Sequence, residues 1–140
     1  MNIEIINQQK IKRIDVKYFK KHLKKASRLL NLSSKKISLI LCDNNFIKKL
    51  NRRYFKKYKS TDVISFPLED ALEPNYLGEV VVSVEEALRA SAKLDLEWKS
   101  ELLLYMIHGI LHLTGYKDRT KRQKEKMRSK EEEIIKKLSL

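Results

Sequence analysis

The sequence predicts a single α+β domain over residues 1–140, in which a small mixed sheet of three or four strands packs against about five helices. Short apolar runs of strand length alternate with longer segments whose apolar residues recur at helical spacing. The length suits one hydrophobic core, and the three Gly and two Pro mark no break at which a second domain would begin. The element order, βαβαββααα, leaves too few crossovers for a doubly wound sheet.

The N-terminal part of the chain predicts a strand, a helix and a second strand. Asn2–Ile6 alternates as a short strand does, and apolar side chains recur at helical spacing over Tyr18–Asn31. Ile37–Leu41 is an apolar run of strand length. Cys42 follows this run, where a small buried thiol packs well, and as the one cysteine it excludes an intrachain disulfide.

The middle of the chain predicts a helix followed by two strands. Asp43 or Asn44 can cap the helix, whose apolar spacing fades near Tyr58. Val63–Phe66 is a short strand stopped by a proline, because proline has no N–H to donate to a sheet. After a loop, Leu77–Val84 is the fourth strand.

Three helices complete the predicted order. Ser83 can begin a helix over Glu85–Leu94. Leu96–Leu113 is the most apolar helix, and it should end at Thr114–Gly115, because glycine readily takes the left-handed conformation that stops a helix. The last helix is highly charged and places four apolar residues roughly on one face: Met127, Ile134, Ile135 and Leu138.

The composition is strongly basic. Thirty-one Lys and Arg oppose 18 Asp and Glu, for a formal net charge of +13, which favours polyanionic partners because their phosphates release counterions on binding. Nucleic acid is the first candidate. The alternative is that a Lys-rich composition makes the protein basic without any nucleic-acid partner. We expect a cytoplasmic protein with no membrane partner, since the chain lacks an apolar secretory signal and any run of membrane-span length.

The most apolar helix carries two histidines, His108 and His112, four residues apart. This spacing puts both imidazoles on one side of the helix, where they can chelate one ion, although such a pair can also be hydrogen-bonded core histidines. The helix stop at Gly115 favours a metal, because the turned chain can return a third donor, and Asp118 is within reach. The sequence therefore predicts one divalent ion, with zinc as the preferred metal, on His108, His112 and Asp118.

Gly109 stands directly after the first histidine, where zinc peptidases carry a glutamate general base. The standard peptidase mechanism is therefore disfavoured. Glycine would leave room beside the ion for a bulky group such as a phosphodiester, although tight helix packing would require it equally. An ion with three protein ligands keeps a position for water and can lower the pKa of that water to about 7, which predicts hydrolysis.

A run of basic residues without an acid covers Lys48–Lys59, with three aromatic residues interleaved. Cations grip phosphates and aromatic faces stack on unpaired bases, a combination suited to single-stranded nucleic acid. A solvated helix surface is the alternative, as it is for the basic stretches Lys10–Arg28 and Lys117–Lys130. We predict that seven side chains of the run contact RNA: Lys48, Lys49, Arg52, Arg53, Lys56, Lys57 and Lys59.

Three sequence blocks occur in order along the chain: LNRRYFKKYKSTDVISFP at Leu50–Pro67, LGEVVVS at Leu77–Ser83 and HGILHLTGY at His108–Tyr116. Met127 and Glu131 then form an M-x-x-x-E pattern. Through these motifs the chain resembles the YbeY family of bacterial metal-dependent endoribonucleases, and the resemblance covers nearly its whole length. The resemblance implies an α+β, zincin-like fold, a zinc ion on three histidines, and a role in rRNA maturation and ribosome quality control, with rRNA or a ribosomal subunit as partner.

Three positions depart from the pattern of that family. Asp118 stands where the family has its third histidine ligand, and Phe55 stands where the family has an arginine implicated in catalysis. Arg52 and Arg53 are candidate substitutes, although neither occupies the motif position. Glu79 replaces an aspartate and keeps its charge. We therefore predict Glu79, at a motif position, and Arg52 and Arg53, as substitutes for the family arginine, as candidate catalytic residues.

Three functions are open at this point. The leading hypothesis is a single-strand-specific RNA hydrolase, in which metal hydroxide or a metal-activated ribose hydroxyl attacks phosphorus. The second is a non-catalytic ribosome- or RNA-binding factor with a structural metal. The third, a hydrolase of another substrate such as a peptide, is disfavoured by Gly109 and by the basic charge.

Two expectations concern the surroundings of the ion. We expect Thr61, Asp62 and Ser65 to border the cleft that holds it, unless the Thr61–Asp62 pair only turns the chain. We expect Asp118 to bind the ion, unless it caps the last helix by accepting backbone N–H bonds near Thr120 and Lys121.

Overall fold

The structure, a computed structural model, describes residues 1–68 and 71–140. These residues contain a four-stranded sheet in the order β1-β2-β4-β3. Its members are β1 (Asn2–Asn7), β2 (Lys36–Cys42), β3 (Val63–Pro67) and β4 (Tyr76–Ser83). β1, β2 and β4 run parallel to one another, whereas β3 pairs antiparallel with β4 at the sheet edge. The expected small mixed sheet is confirmed.

The described residues also form five helices, which confirms the α+β class. They are α1 (Val16–Leu29), α2 (Asn44–Phe55), α3 (Val84–Leu94), α4 (Trp98–Leu113) and α5 (Lys121–Leu138). Side-chain caps begin four of them, because Asp15, Asp43, Ser83 and Thr120 each accept a backbone N–H three residues on. In the part of the chain described, none of the helices is both long enough and apolar enough to cross a bilayer.

Helix α2 ends earlier than its apolar spacing predicts. The expectation that it fades near Tyr58 is wrong, because Lys56 takes a left-handed conformation with φ 54° and closes the helix after Phe55. The buried Asn51 side chain donates to the Lys59 carbonyl at 3.0 Å and holds the chain that leaves the helix. The basic run therefore divides into a helical part and a loop that leads into β3.

The sheet separates two apolar clusters. The larger cluster packs α1, α3, α4 and α5 on one face, where Val80 and Val82 contribute from β4. The smaller cluster joins α2 to the other face through Cys42 and Val81. Burial raises the pKa of the Cys42 thiol to about 12, and only 1% of the residue is exposed, which confirms Cys42 as a core residue.

Helix α4 makes a very close approach to the sheet at Gly109. A Cβ at this position would lie 2.3 Å from Val80 Cγ1 and 3.1 Å from Val63 Cγ2. The Ser65 hydroxyl donates to the Gly109 carbonyl at 2.8 Å and ties β3 to the helix. Of the two explanations for this glycine, the structure supports tight helix packing.

We expect Gly109→Ala to lower the free energy of unfolding by about 1–2 kcal/mol. Forcing a methyl group to 2.3 Å from the stiff, buried Val80 side chain costs about 2–3 kcal/mol, the upper part of the usual range for overpacking, and the better helix propensity of alanine returns about 1 kcal/mol of that. Denaturant unfolding followed by circular dichroism measures the difference. Ser100→Ala on the same helix is the control, and equal stability of Gly109→Ala and wild type would contradict the packing argument.

Candidate metal centre

Helix α4 turns one face away from the core near its C-terminal end, and both histidines lie on that face. Ile107, Ile110 and Leu111 are buried, whereas the His108 and His112 side chains each remain 26% exposed. The two imidazole centroids lie 4.7 Å apart, as expected for side chains one helical turn apart. The helix therefore presents both rings together at the edge of the core.

The Nδ1 atom of each histidine has a partner that fixes the ring. His112 Nδ1 lies 3.0 Å from the Tyr116 carbonyl oxygen, and His108 Nδ1 contacts a Glu131 carboxylate oxygen. A carbonyl oxygen can only accept, so His112 donates from Nδ1–H, and a carboxylate favours the same arrangement at His108. Both Nε2 atoms are then lone-pair donors to a metal, an orientation common among metal-binding histidines.

Three ligand atoms converge opposite the fixed rings. The Nε2 atoms of His108 and His112 lie 3.1 Å apart, and Asp118 Oδ2 lies 3.6 Å from the first and 3.3 Å from the second. Bonds of about 2.0–2.1 Å in a tetrahedron place ligand atoms about 3.3–3.4 Å apart. The separations in this cluster match that geometry, and three facing electron-pair donors without a proton between them repel unless a cation lies among them. The residues present fit a divalent metal ion.

The turn after α4 delivers Asp118 to the histidines. Gly115, at φ 103°, donates to the His112 carbonyl, and Tyr116 donates to the Leu111 carbonyl, a Schellman pair that reverses the chain. Helix α5 is capped by Thr120, whose side chain accepts from the Gln123 N–H. The alternative in which Asp118 caps α5 is therefore wrong.

Carboxylates dominate the electrostatics around His108. Burial lowers the pKa of His108, but the hydrogen bond and charge of Glu131, together with the charges of Asp62 and Asp118, outweigh that effect and raise the pKa overall. The surroundings of the ring therefore stabilise a positive charge, which a proton or a metal ion can supply.

The centre opens into a groove of about 610 Å³. Thr61 and Ser65 line this groove together with His112 and Asp118, which confirms that β3 and the residues before it border the cleft. Asp62 lies close enough to His108 to influence its pKa. Four basic side chains line the groove, two before β3 and two after α4: Lys57, Lys59, Lys117 and Arg119.

Several predicted site residues do not reach this groove. Glu79 is exposed on the sheet face that carries Val81 and α2, and lines a different cavity with Tyr54 and Phe66. The guanidinium groups of Arg52 and Arg53 lie over the rings of Tyr58 and Tyr54, at 5.2 and 5.4 Å from the ring centroids. The structure therefore places Glu79, Arg52 and Arg53 outside the groove, and their assignment as catalytic residues stays a prediction.

The basic run is only partly at the groove. Lys57 and Lys59, in the loop, line it, whereas five side chains of the run do not: Lys48, Lys49, Arg52, Arg53 and Lys56. The sequence alone predicts no role for Glu131 in the site, although the M-x-x-x-E pattern indicates that this position matters. It also predicts no place in the site for Lys117 and Arg119. The α4–α5 turn brings those two basic residues to the groove.

Comparison with known proteins places these features in one family. The sequence model of the family described as Endoribonuclease YbeY matches residues 1–139. An Endoribonuclease YbeY of Syntrophus aciditrophicus is 35% identical over 141 residues, covering 96% of this chain and 88% of the relative. An Endoribonuclease YbeY of Nautilia profundicola is 45% identical over 109 residues, which cover 78% of this chain and 76% of the relative. The solution structure of TM1509 from Thermotoga maritima matches with a TM-score of 0.71 at 25% sequence identity. The match covers 97% of this chain and 88% of that structure.

We expect Asp118→Ala to weaken zinc binding by about 100-fold or more, because it removes a metal ligand. Removing a residue that only orients a ligand typically lowers metal affinity by about 10–100-fold, and loss of a ligand itself should cost more. Asp118→His should keep the metal, and it should speed hydrolysis because a neutral ligand leaves the ion more electrophilic. Competition with a chelating dye measures the affinity, and Glu125→Ala is the control on an exposed carboxylate. Unchanged metal stoichiometry in both Asp118→Ala and Asp118→Asn would exclude ligation by Asp118.

We expect Glu131→Ala to lower zinc affinity by about 10–100-fold, because the His108 ring loses the partner that fixes its orientation. Glu131→Gln should lose less, since its amide oxygen can still accept from Nδ1–H. The same dye competition measures both, and Glu132→Ala, its exposed neighbour, is the control. Equal affinities for Glu131→Ala and Glu132→Ala would contradict the positioning role.

Proposed function

The chain belongs to the YbeY family of endoribonucleases, and from that premise we propose that it is a single-strand-specific endoribonuclease that depends on one divalent metal ion. We propose zinc as the ion, rRNA maturation and ribosome quality control as the process, and rRNA or a ribosomal subunit as the partner. The observation that carries the proposal is the convergence of two imidazole nitrogens and one carboxylate oxygen beside a basic groove.

The metal would be held by His108, His112 and Asp118. Zinc is supported by the two nitrogen donors and by ligand separations that match its short bonds. When bound, such an ion polarises a phosphate and lowers the pKa of a water molecule to about 7. Glu131 and the Tyr116 carbonyl keep the two Nε2 atoms directed at the ion, so the donor set is organised before the ion arrives.

The groove would hold RNA through its phosphates on both sides of the centre. Lys57 and Lys59 approach from the loop before β3, and Lys117 and Arg119 approach from the α4–α5 turn. Phe55 also lines the groove and is 48% exposed, which leaves a ring face for an unpaired base. Cations from two segments of the chain, together with an exposed aromatic ring in the same groove, suit a single strand better than a rigid duplex.

A non-catalytic RNA-binding factor is the second candidate, and one observation favours it. Phe55 lines the groove at the position where the family carries an arginine, and neither Arg52 nor Arg53 lines the groove in its place. The side-chain cation that would stabilise a developing negative charge on phosphate would then have to come from the other basic residues of the groove, which are Lys57, Lys59, Lys117 and Arg119. Turnover of RNA separates the two candidates.

We expect zinc-loaded protein to cleave a single-stranded RNA, to lose that activity on chelation and to regain it when one equivalent of zinc is restored. A duplex of the same sequence should resist. Gel analysis of labelled RNA measures cleavage, and the product ends identify the nucleophile, since attack by a ribose hydroxyl leaves a cyclic phosphate. The double variant His108→Ala/His112→Ala is the inactive control, and binding of RNA without turnover would support the second candidate instead.

We expect reversal of the groove lysines, Lys57→Glu/Lys59→Glu, to weaken binding of an RNA of about six nucleotides by about 10-fold or more, and to flatten the salt dependence of binding. The pair Lys48→Glu/Lys49→Glu changes the net charge equally but lies outside the groove, so its effect should be smaller. Fluorescence anisotropy with chelator present measures both. Equal losses in the two pairs would mean that total charge, and not the groove, binds RNA.

A further inference from the structure

Helix α1 presents a continuous basic surface to solvent. Its 14 residues, VKYFKKHLKKASRL, contain no Asp or Glu. Its apolar side is buried through Phe19, Leu23 and Ala26, so the cations occupy the opposite side. This basic stripe consists of Lys17, Lys20, Lys21, Lys24, Lys25 and Arg28.

In the described part of the chain, the cations of the basic stripe lack acidic partners on their own helix and in the ion pairs that the structure forms. Like charges stand four residues apart, as in Lys17 with Lys21 and Lys24 with Arg28, a spacing that destabilises a helix. Other helices relieve such repulsion, for example through Glu133, which pairs with Lys130 and Lys137 on α5. Among residues 1–68 and 71–140, no stripe cation forms an ion pair with a carboxylate. An anionic ligand would supply the missing charge.

Two aromatic rings lie beside the N-terminal end of the stripe. Lys99 Nζ lies 5.3 Å from the ring centroid of Tyr18, and Lys12 Nζ lies 5.3 Å from that of Trp98. Both rings are partly buried against the main core, which fixes their positions. Rings held next to lysines can stack on bases while the lysines contact phosphates.

This corner is remote from the metal centre. Trp98 begins α4 and His112 lies in its last turn, so at 1.5 Å per residue the two are about 20 Å apart along the helix. A ligand on the stripe and a ligand in the groove would not compete for the same side chains.

We propose that the basic stripe of α1, with Tyr18 and Trp98 at its end, is a second RNA-binding surface that holds substrate RNA away from the cleavage site. The choice of RNA rests on the proposed function. The structure disfavours an amphipathic membrane helix, because such a helix inserts its apolar side into the bilayer, whereas that side of α1 is buried in the core. RNA needs only the phosphate-binding side, which is exposed.

Fluorescence of the protein tests this directly, since Trp98 is the one tryptophan of the chain. With chelator present so that nothing is cleaved, a single-stranded RNA of about 20 nucleotides should quench Trp98 emission as it binds, and His108→Ala should show the same quenching. An RNA of about six nucleotides, which the groove can hold alone, should quench less. Absence of quenching by the long RNA at saturation would overturn the assignment of the Trp98 corner.

Charge removal tests the stripe itself. The variant Lys17→Gln/Lys21→Gln/Lys24→Gln/Arg28→Gln should lose about 10-fold or more in affinity for the long RNA, and its salt slope should fall by about 3 because four phosphate contacts are lost. The control Lys121→Gln/Lys124→Gln/Arg128→Gln/Lys136→Gln removes the same charge from α5. It should retain most of the RNA affinity and most of the salt slope. Circular dichroism checks folding, which glutamine preserves in a helix.

The outcomes are distinct. Equal loss of RNA affinity in the α1 and α5 variants would overturn the proposal in favour of total charge. Binding of wild type to phosphatidylserine vesicles with a blue shift of Trp98, without a response to RNA, would overturn it in favour of a membrane. Because cleavage is not measured here, failure of the proposed nuclease activity would not be mistaken for failure of the stripe.

Discussion

The close approach of α4 to the sheet at Gly109 fixes where the two histidines stand. The helix can lie against Val80 and Val63 only because this position has no side chain. With the helix axis fixed there, His108 and His112 are held at the border of the core, next to the strand that lines the groove. Packing and the candidate site therefore share one short segment, and a change that moved α4 outward would displace both histidines with it.

Residues outside α4 complete the centre through contacts of their own. Helix α5 is anchored in the main core by Met127, Ile134 and Leu138, and this anchoring positions Glu131 against His108. The capping box of α5 satisfies its first N–H groups with Thr120 and Gln123, which leaves the Asp118 carboxylate available to the histidines. The C-terminal helix thus supports the donor set without supplying a ligand to it.

Much of this arrangement could be predicted from sequence, and the exceptions have a physical explanation. Helical spacing places His108 and His112 together whatever the tertiary fold, and the glycine stop makes the return of Asp118 predictable. The face of the sheet on which Glu79 lies could not be predicted, because consecutive valines on β4 are buried on both sides and hide the alternation. The basic run divides at Lys56 because this residue takes a left-handed conformation. Residues other than glycine rarely adopt that conformation, so the sequence does not predict it.

The central claim is that one divalent ion binds to two imidazoles and one carboxylate at the end of α4. X-ray absorption at the zinc edge of the reconstituted protein tests it most directly. Ligation by these residues predicts nitrogen and oxygen neighbours at about 2.0–2.2 Å from zinc, with a scattering pattern of two imidazoles that falls to one in His112→Ala. A sulfur ligand from Cys42, or a spectrum unchanged in the double variant His108→Ala/His112→Ala, would exclude the two histidines as the metal ligands.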